Sequence, residues 1–162
     1  MENGTFINHL YALVLQDFPE SLVMTLAVFS FINLRLCDKR ILYVALLQSV
    51  TNLVRLLPIV FGIHTVILAV TLSIYTRIFT GVRLSRILAA VLVCIAIVTA
   101  MEMIYLEPLL NATKIPYETV FASPLLRAVF ALPYELVLLL VALGKNHFNS
   151  KKGIGAELSL KS

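Results

Sequence analysis

The sequence predicts an all-α fold, a polytopic membrane protein built as a bundle of five transmembrane helices. The first observation is compositional: hydrophobic residues make up 60 % of the chain and charged residues 14 %, where an average soluble domain has about 25 % charged residues. The second is a pattern: apolar runs of about twenty residues, long enough to cross a bilayer as helices, recur along the chain. A soluble core cannot hide so much apolar surface behind so few charges.

The apolar runs divide the chain into five predicted spans with short connections. The spans cover residues 18–36, 41–57, 63–80, 84–106 and 124–144. Pro58 and Gly62 mark the turn between the second and third spans. Residues 1–147 form the predicted transmembrane domain, in which 107–122 is the one long polar connection, and 148–162 form a flexible polar cytoplasmic tail.

The start of the first span leaves two interpretations open. Pro19, with Asp17 and Glu20 beside it, is typical of a helix start, because proline suits the first turn and acids favour the positive end of the helix dipole. The preceding apolar segment 5–16 either extends the span as a kinked helix or lies along the outer interface. Residues 1–9 carry Glu2 and no basic region, so we expect no signal peptide.

The distribution of basic residues predicts the orientation. Ten of the thirteen lie after the first span, after the third span or in the tail: Arg35, Lys39, Arg40, Arg77, Arg83, Arg86, Lys145, Lys151, Lys152 and Lys161. Cytoplasmic connections carry such an excess. We therefore expect a multi-pass protein of the cell (plasma) membrane, with the N-terminus outside and the C-terminus inside.

Four polar residues share one predicted depth in the outer half of the membrane. Counting about 1.5 Å per residue from the nearest basic residue at the inner end places Glu20, Arg55, His64 and Glu102 at about 20–24 Å. A buried arginine costs about 2.5–3.5 kcal/mol on insertion scales, so Arg55 needs a partner or water. Three interpretations remain: an ion pair of Arg55 with Glu102 or Glu20 that only fixes packing, a polar pocket open to the outer face, or snorkelling to the interface.

Glu135 is the fifth candidate for ligand binding or proton coupling, because a carboxyl near mid-membrane is costly. Pro133 frees backbone carbonyls one turn earlier, so a protonated Glu135 could form a local hydrogen bond. That local role is preferred to a role in transport.

The sequence lacks the residue patterns that several classes of function require. Cys37 and Cys94 lie at different depths and are predicted to be free thiols. His and Cys are scattered singly, so we expect no metal and no cofactor. No catalytic Ser/His/Asp or Cys/His set is evident, which predicts that the protein is not an enzyme. The net charge is +4, but the basic residues lie mainly in the connections between spans, so nucleic acid is not an expected partner.

The segment RLLPIVFGIHTVILAV at 55–70, together with Pro19 and Glu20, carries a resemblance to a known family. It resembles the N-terminal membrane regions of clostridial and related sensor histidine kinases of the quorum-sensing receptor type. The resemblance implies a bacterial signal-transduction module of five or six helices. After Lys145 we expect no kinase domain, so such a module would act through another protein.

These observations predict a sensory or regulatory integral membrane module that contacts the lipid bilayer and acts through a membrane or cytoplasmic partner protein. One alternative is a small oligomeric transporter or transporter subunit, which the intramembrane glutamates favour. The other is a membrane scaffold protein. Few glycines lie in the spans and no GxxxG face is evident, so the oligomeric state stays open.

Overall fold

A computed structural model describes residue 11 and residues 13–56, 62–116, 119–120 and 123–151. The described helices are α1 (Phe18–Phe31), α2 (Lys39–Thr51), α3 (Ile63–Thr80), α4 (Leu84–Thr113) and α5 (Pro124–Lys151). A π-helical turn, Leu13–Asp17, leads directly into α1, and a 3-10 turn, Asn52–Leu56, continues α2. The described part of the chain contains no strand, which confirms the predicted all-α class.

The helices form a closed bundle with α1 at its centre. Each helix packs against the next one in the chain, α5 returns to pack against α1, and α4 also contacts α1. Ala27, Val28 and Phe29 of α1 are completely buried as a result. The central position of α1 means that a movement of this helix affects most of the bundle.

The bundle has apolar residues outside and small polar residues inside. On α2, the large side chains of Leu42, Leu46 and Val50 are exposed, whereas Gln48 and Ser49 are buried. Lipid tails are as apolar as leucine, so helices in a membrane associate through packing and hydrogen bonds between polar groups rather than by burying leucine. The exterior therefore suits contact with lipid.

Helices α3, α4 and α5 are each long and apolar enough to cross a membrane, and α1 is a shorter apolar helix. Gly81 ends α3 in the left-handed conformation with φ 69°, where glycine avoids the steric cost of a side chain. Gly62 also has positive φ, at 95°, as the predicted turn requires. Cys37 is exposed, Cys94 is buried and both are free thiols, as predicted.

Helix ends differ from the predicted spans in three places. Helix α1 ends at Phe31 rather than near residue 36, because Asn33 turns the chain with φ 65°. Helix α4 continues past residue 106 to Thr113. Pro108 lies inside this helix on an exposed surface, where it removes one backbone donor and its ring crowds the carbonyl one turn earlier.

The third difference corrects the predicted tail. Helix α5 continues past residue 144 to Lys151, so residues 148–151 are helical rather than flexible. The reason is that Asn149 is buried and its amide donates hydrogen bonds to Ser30 O at 3.4 Å and to Asn33 Oδ1 at 2.9 Å. Residues 152–162 lie outside the described residues.

At the other end of the chain, the π-helical turn extends α1 toward the N-terminus. This agrees with the extended-helix interpretation for residues 13–16. Residues 1–10 and 12 lie outside the described residues.

Candidate functional site

A cavity of about 360 Å³ lies among the helices. Its wall includes Glu20 of α1, His64 of α3 and Glu102 of α4, which are three of the five candidates predicted from the sequence. Arg127 of α5 joins them. The sequence predicted only that these candidates share a depth in the membrane, and the structure places them around one cavity.

The other two candidates, Arg55 and Glu135, are not among the described residues of the cavity wall. Arg55 lies in the 3-10 turn just after Asn52, which lines the cavity, but the Arg55 side chain lies outside the described residues. Its pairing with Glu20 or Glu102 stays a prediction. Glu135 is buried at 9 % exposure and follows Tyr134, another residue of the wall.

The cavity has two chemically different ends. The polar end is formed near helix termini, and its residues are Gln16, Glu20, Asn52, His64, Glu102 and Arg127. The apolar end is formed one to three turns further along the same helices, by Met24, Leu72, Val91, Ile95, Val98 and Phe130. This combination of an apolar wall with a few converging polar groups is typical of a small-molecule site.

Buried amides on α2 hold the polar end together. Asn52 Nδ2 donates to Asp17 O at 3.4 Å and to Ser21 Oγ at 3.2 Å, which ties α2 to the start of α1. One turn earlier, Gln48 Nε2 donates to Leu68 O of α3 at 3.1 Å. Neither residue was a predicted candidate. The available signal was their spacing of four positions, which places both on one face of an otherwise apolar helix.

Tyr105 links α4 to α5 at the wall of the cavity. Its hydroxyl donates to Phe130 O at 2.8 Å. It lies one turn after Glu102 and is in the electrostatic field of both Glu102 and Glu135. Because the hydroxyl proton is used in the bond to Phe130, the lone pairs of the oxygen remain available.

Three polar atoms of the wall are buried and have no hydrogen-bond partner among the described residues. They are Gln16 Oε1, His64 Nδ1 and Arg127 Nε, and Arg127 also takes part in another interaction. Gln16 is only 7 % exposed and lies in the π-helical turn, a feature found frequently at functional sites. Buried polar atoms are nearly always paired, so each such atom needs a physical explanation.

Within the described ranges, no three His, Cys, Asp or Glu side chains are placed to hold a metal ion. Comparisons with known proteins add no assignment, since no protein family, curated protein or solved structure matches the chain. The resemblance to sensor kinase membrane regions stays a prediction.

Proposed function

We propose that this chain is a sensory or regulatory integral membrane module that binds a ligand in the cavity and acts through a partner protein. The observation that carries the proposal is the convergence of Glu20, His64 and Glu102 on one cavity with an apolar end. A cavity of about 360 Å³ leaves room for a small molecule beside these residues.

The proposal includes five membrane spans, two of which are interrupted helices. Helical residues run without a break from Leu13 to Phe31, or 19 residues, which corresponds to about 28 Å at 1.5 Å per residue. Helix α2 contributes 13 residues and its 3-10 extension five, together about 30 Å. Both lengths suit a hydrocarbon core of about 30 Å. The π-helical turn before α1 and the 3-10 turn after α2 both lie against the cavity, where a membrane protein tolerates departures from the regular α-helix.

The proposed orientation places the polar end of the cavity outside. The polar end is at the start of α1, α3 and α5 and at the end of α2. The basic residues Arg35, Arg77, Arg83 and Lys151 lie at the opposite ends of these helices or at the start of α4. An excess of basic residues marks the cytoplasmic side.

Labelling of one exposed cysteine at a time tests this topology, in chains in which the buried Cys94 is replaced by Ala. Cys37 is exposed in the α1–α2 connection, so it should react with a membrane-impermeant maleimide only after the cells are permeabilised. The variant Cys37→Ser/Asn111→Cys should react in intact cells, because Asn111 is exposed in the outer part of α4. Reaction of both positions in intact cells would contradict the three proposed spans between them.

The helices that form the cavity also meet at the inner end, which gives a route for a response. Near its C-terminus, α1 is tied to α5 by a hydrogen bond from Ser30 Oγ to Ala142 O at 2.7 Å. Asn149 adds its bonds to Ser30 and Asn33 one or two turns further on. We call these contacts the inner clamp. A ligand that shifts α1 against α5 would change the inner clamp.

Site-specific crosslinking tests the requirement for a partner. A photoreactive amino acid at Arg83 or Ser150, both exposed at the proposed inner face, should capture one dominant protein in native membranes. The same amino acid at Leu140, which is exposed in mid-span, should capture lipid only. If no partner is captured and the purified chain moves a solute across sealed vesicles, with loss of flux in Glu135→Gln, the transporter alternative replaces this proposal.

A further inference from the structure

The apolar end of the cavity limits the size of a ligand. Leu72 is eight residues from His64 along α3, and Val91 is eleven from Glu102 along α4, which correspond to about 12 and 16 Å. The volume of about 360 Å³ is at the lower end of the range for small-molecule sites, about 300–1,000 Å³. We therefore expect a small molecule with an apolar body.

The polar end presents hydrogen-bond acceptors on several residues and one buried donor, Arg127 Nε. Gln16 Oε1 is an acceptor that is buried without a partner in the described part of the chain. The carboxylates of Glu20 and Glu102 each offer about four lone-pair sites, so the interactions they already make leave capacity for more. Tyr105 donates its proton to Phe130 and adds its lone pairs. A ligand matches this wall when its head group donates several hydrogen bonds.

A primary ammonium group has these properties. It carries three donors and no acceptor, and hydrogen bonds that involve ionised groups are roughly twice as strong as those between neutral groups. Arg127 is the cation of the described wall; it already interacts within the structure, although its Nε has no hydrogen-bond partner there. A carboxylate head group would meet Arg127, but it would also face Glu20 and Glu102, whose negative charges repel it.

We infer that the cavity binds a small amphipathic primary amine, with its ammonium group among Gln16, Glu20 and Glu102 and its apolar body against Leu72, Val91 and Ile95. This inference rests on the proposed function and names the ligand class of the same site. His64, whose Nδ1 is buried without a described partner, lies at the same end and can accept a further hydrogen bond as a neutral imidazole.

Three ligands with one apolar body and different head groups test the inference. They are phenethylamine, 2-phenylethanol and phenylacetate, each added to the purified chain in lipid nanodiscs at pH 7. Phenethylamine should bind saturably in calorimetric titration and raise the unfolding temperature, because a ligand that binds only the folded state stabilises it. The alcohol and the acid should each bind at least ten-fold more weakly. Equal binding by either of them would overturn the inference.

Matched variants separate the site from general uptake of amines by lipid. Glu102→Gln keeps the side-chain shape and should weaken phenethylamine binding at least ten-fold. Glu107→Gln, five residues further along α4 on an exposed position, should bind as the unaltered chain does. Ala69→Phe should block the cavity, whereas Val70→Phe should not, since Ala69 lines the wall and Val70 is exposed. Unchanged binding in Glu102→Gln would overturn the inference even if Ala69→Phe fails to fold.

Different experimental results would contradict the inference and the proposed function. Titration uses the purified chain, so it requires no partner. Partner capture at Arg83 or Ser150 without amine binding would overturn the ligand class and keep the sensory module. Saturable amine binding that depends on Glu102, with no partner captured, would support the ligand class and overturn the sensory module.

Discussion

Replacing Leu138 by Ala should lower the free energy of unfolding by about 2 kcal/mol or more, the lower end of the range measured for buried leucines in soluble proteins. Leu138 is 2 % exposed in the core that α5 forms with α1. In a bilayer the cost comes from lost packing contacts and the void left behind, because leucine is equally at home in lipid. Leu140→Ala is the matched control. Leu140 is on the same helix at 67 % exposure, and its replacement should change stability by less than about 0.5 kcal/mol.

Unfolding of the two variants in mixed micelles with rising SDS content measures the difference. The pair is informative because both positions are leucines of similar helical context, so helix propensity cancels. Equal losses of stability in the two variants would mean that α5 presents a different face to α1. The assignment of Phe130 and Tyr134 of α5 to the cavity wall would then also be wrong.

The depth of the polar residues in the membrane could be predicted from the sequence, but the direction in which each side chain leaves its helix could not. Counting helical residues from the basic ends placed Glu20, His64 and Glu102 in one layer, and the structure places them around one cavity. The angle of each side chain around its helix depends on which face packs inward. In helices that are apolar all round, hydrophobic periodicity does not reveal that face.

Uncharged polar residues were missed for a related reason. A serine or threonine in an apolar helix commonly bonds to its own backbone, as Thr25 does with Ser21 O at 2.7 Å. Gln48 and Asn52 look similar in sequence, yet both bond across to other helices. Their long amides reach across helix interfaces, and only the packing shows this. Gln16 was hidden in a segment whose helical state the sequence left open.

The inner end of α5 was mispredicted because its stabilising contact is remote in sequence. Residues after Lys145 are polar and lack apolar periodicity, which is typical of a tail. The helix persists because Asn149 reaches Asn33, 116 positions away. No local pattern records such a pair, although Asn33 is a residue type that tolerates the positive φ it adopts.

Replacing Asn149 by Ala should separate ligand binding from the response. The variant loses the bonds to Ser30 O and Asn33 Oδ1, and at about 0.5–1.5 kcal/mol for each hydrogen bond it should be destabilised by about 1–3 kcal/mol. The cavity lies at the other end of the bundle, so phenethylamine should bind with an affinity within about two-fold of the unaltered chain. In the unaltered chain we expect phenethylamine to change the crosslinking from Arg83. In the variant this change should be lost, because the inner clamp keeps only the bond of Ser30 Oγ to Ala142 O.

Ser150→Ala is the control, since Ser150 is adjacent and exposed whereas Asn149 is buried at 6 % exposure. It should keep stability, binding and the response. A ligand shifts an equilibrium between two arrangements only by its differential affinity for them, so a response that survives in Asn149→Ala would show that the inner clamp has the same form in both arrangements. The signal would then have to leave through another pair of helices that meet at the cavity, such as α1 with α2 or α1 with α4.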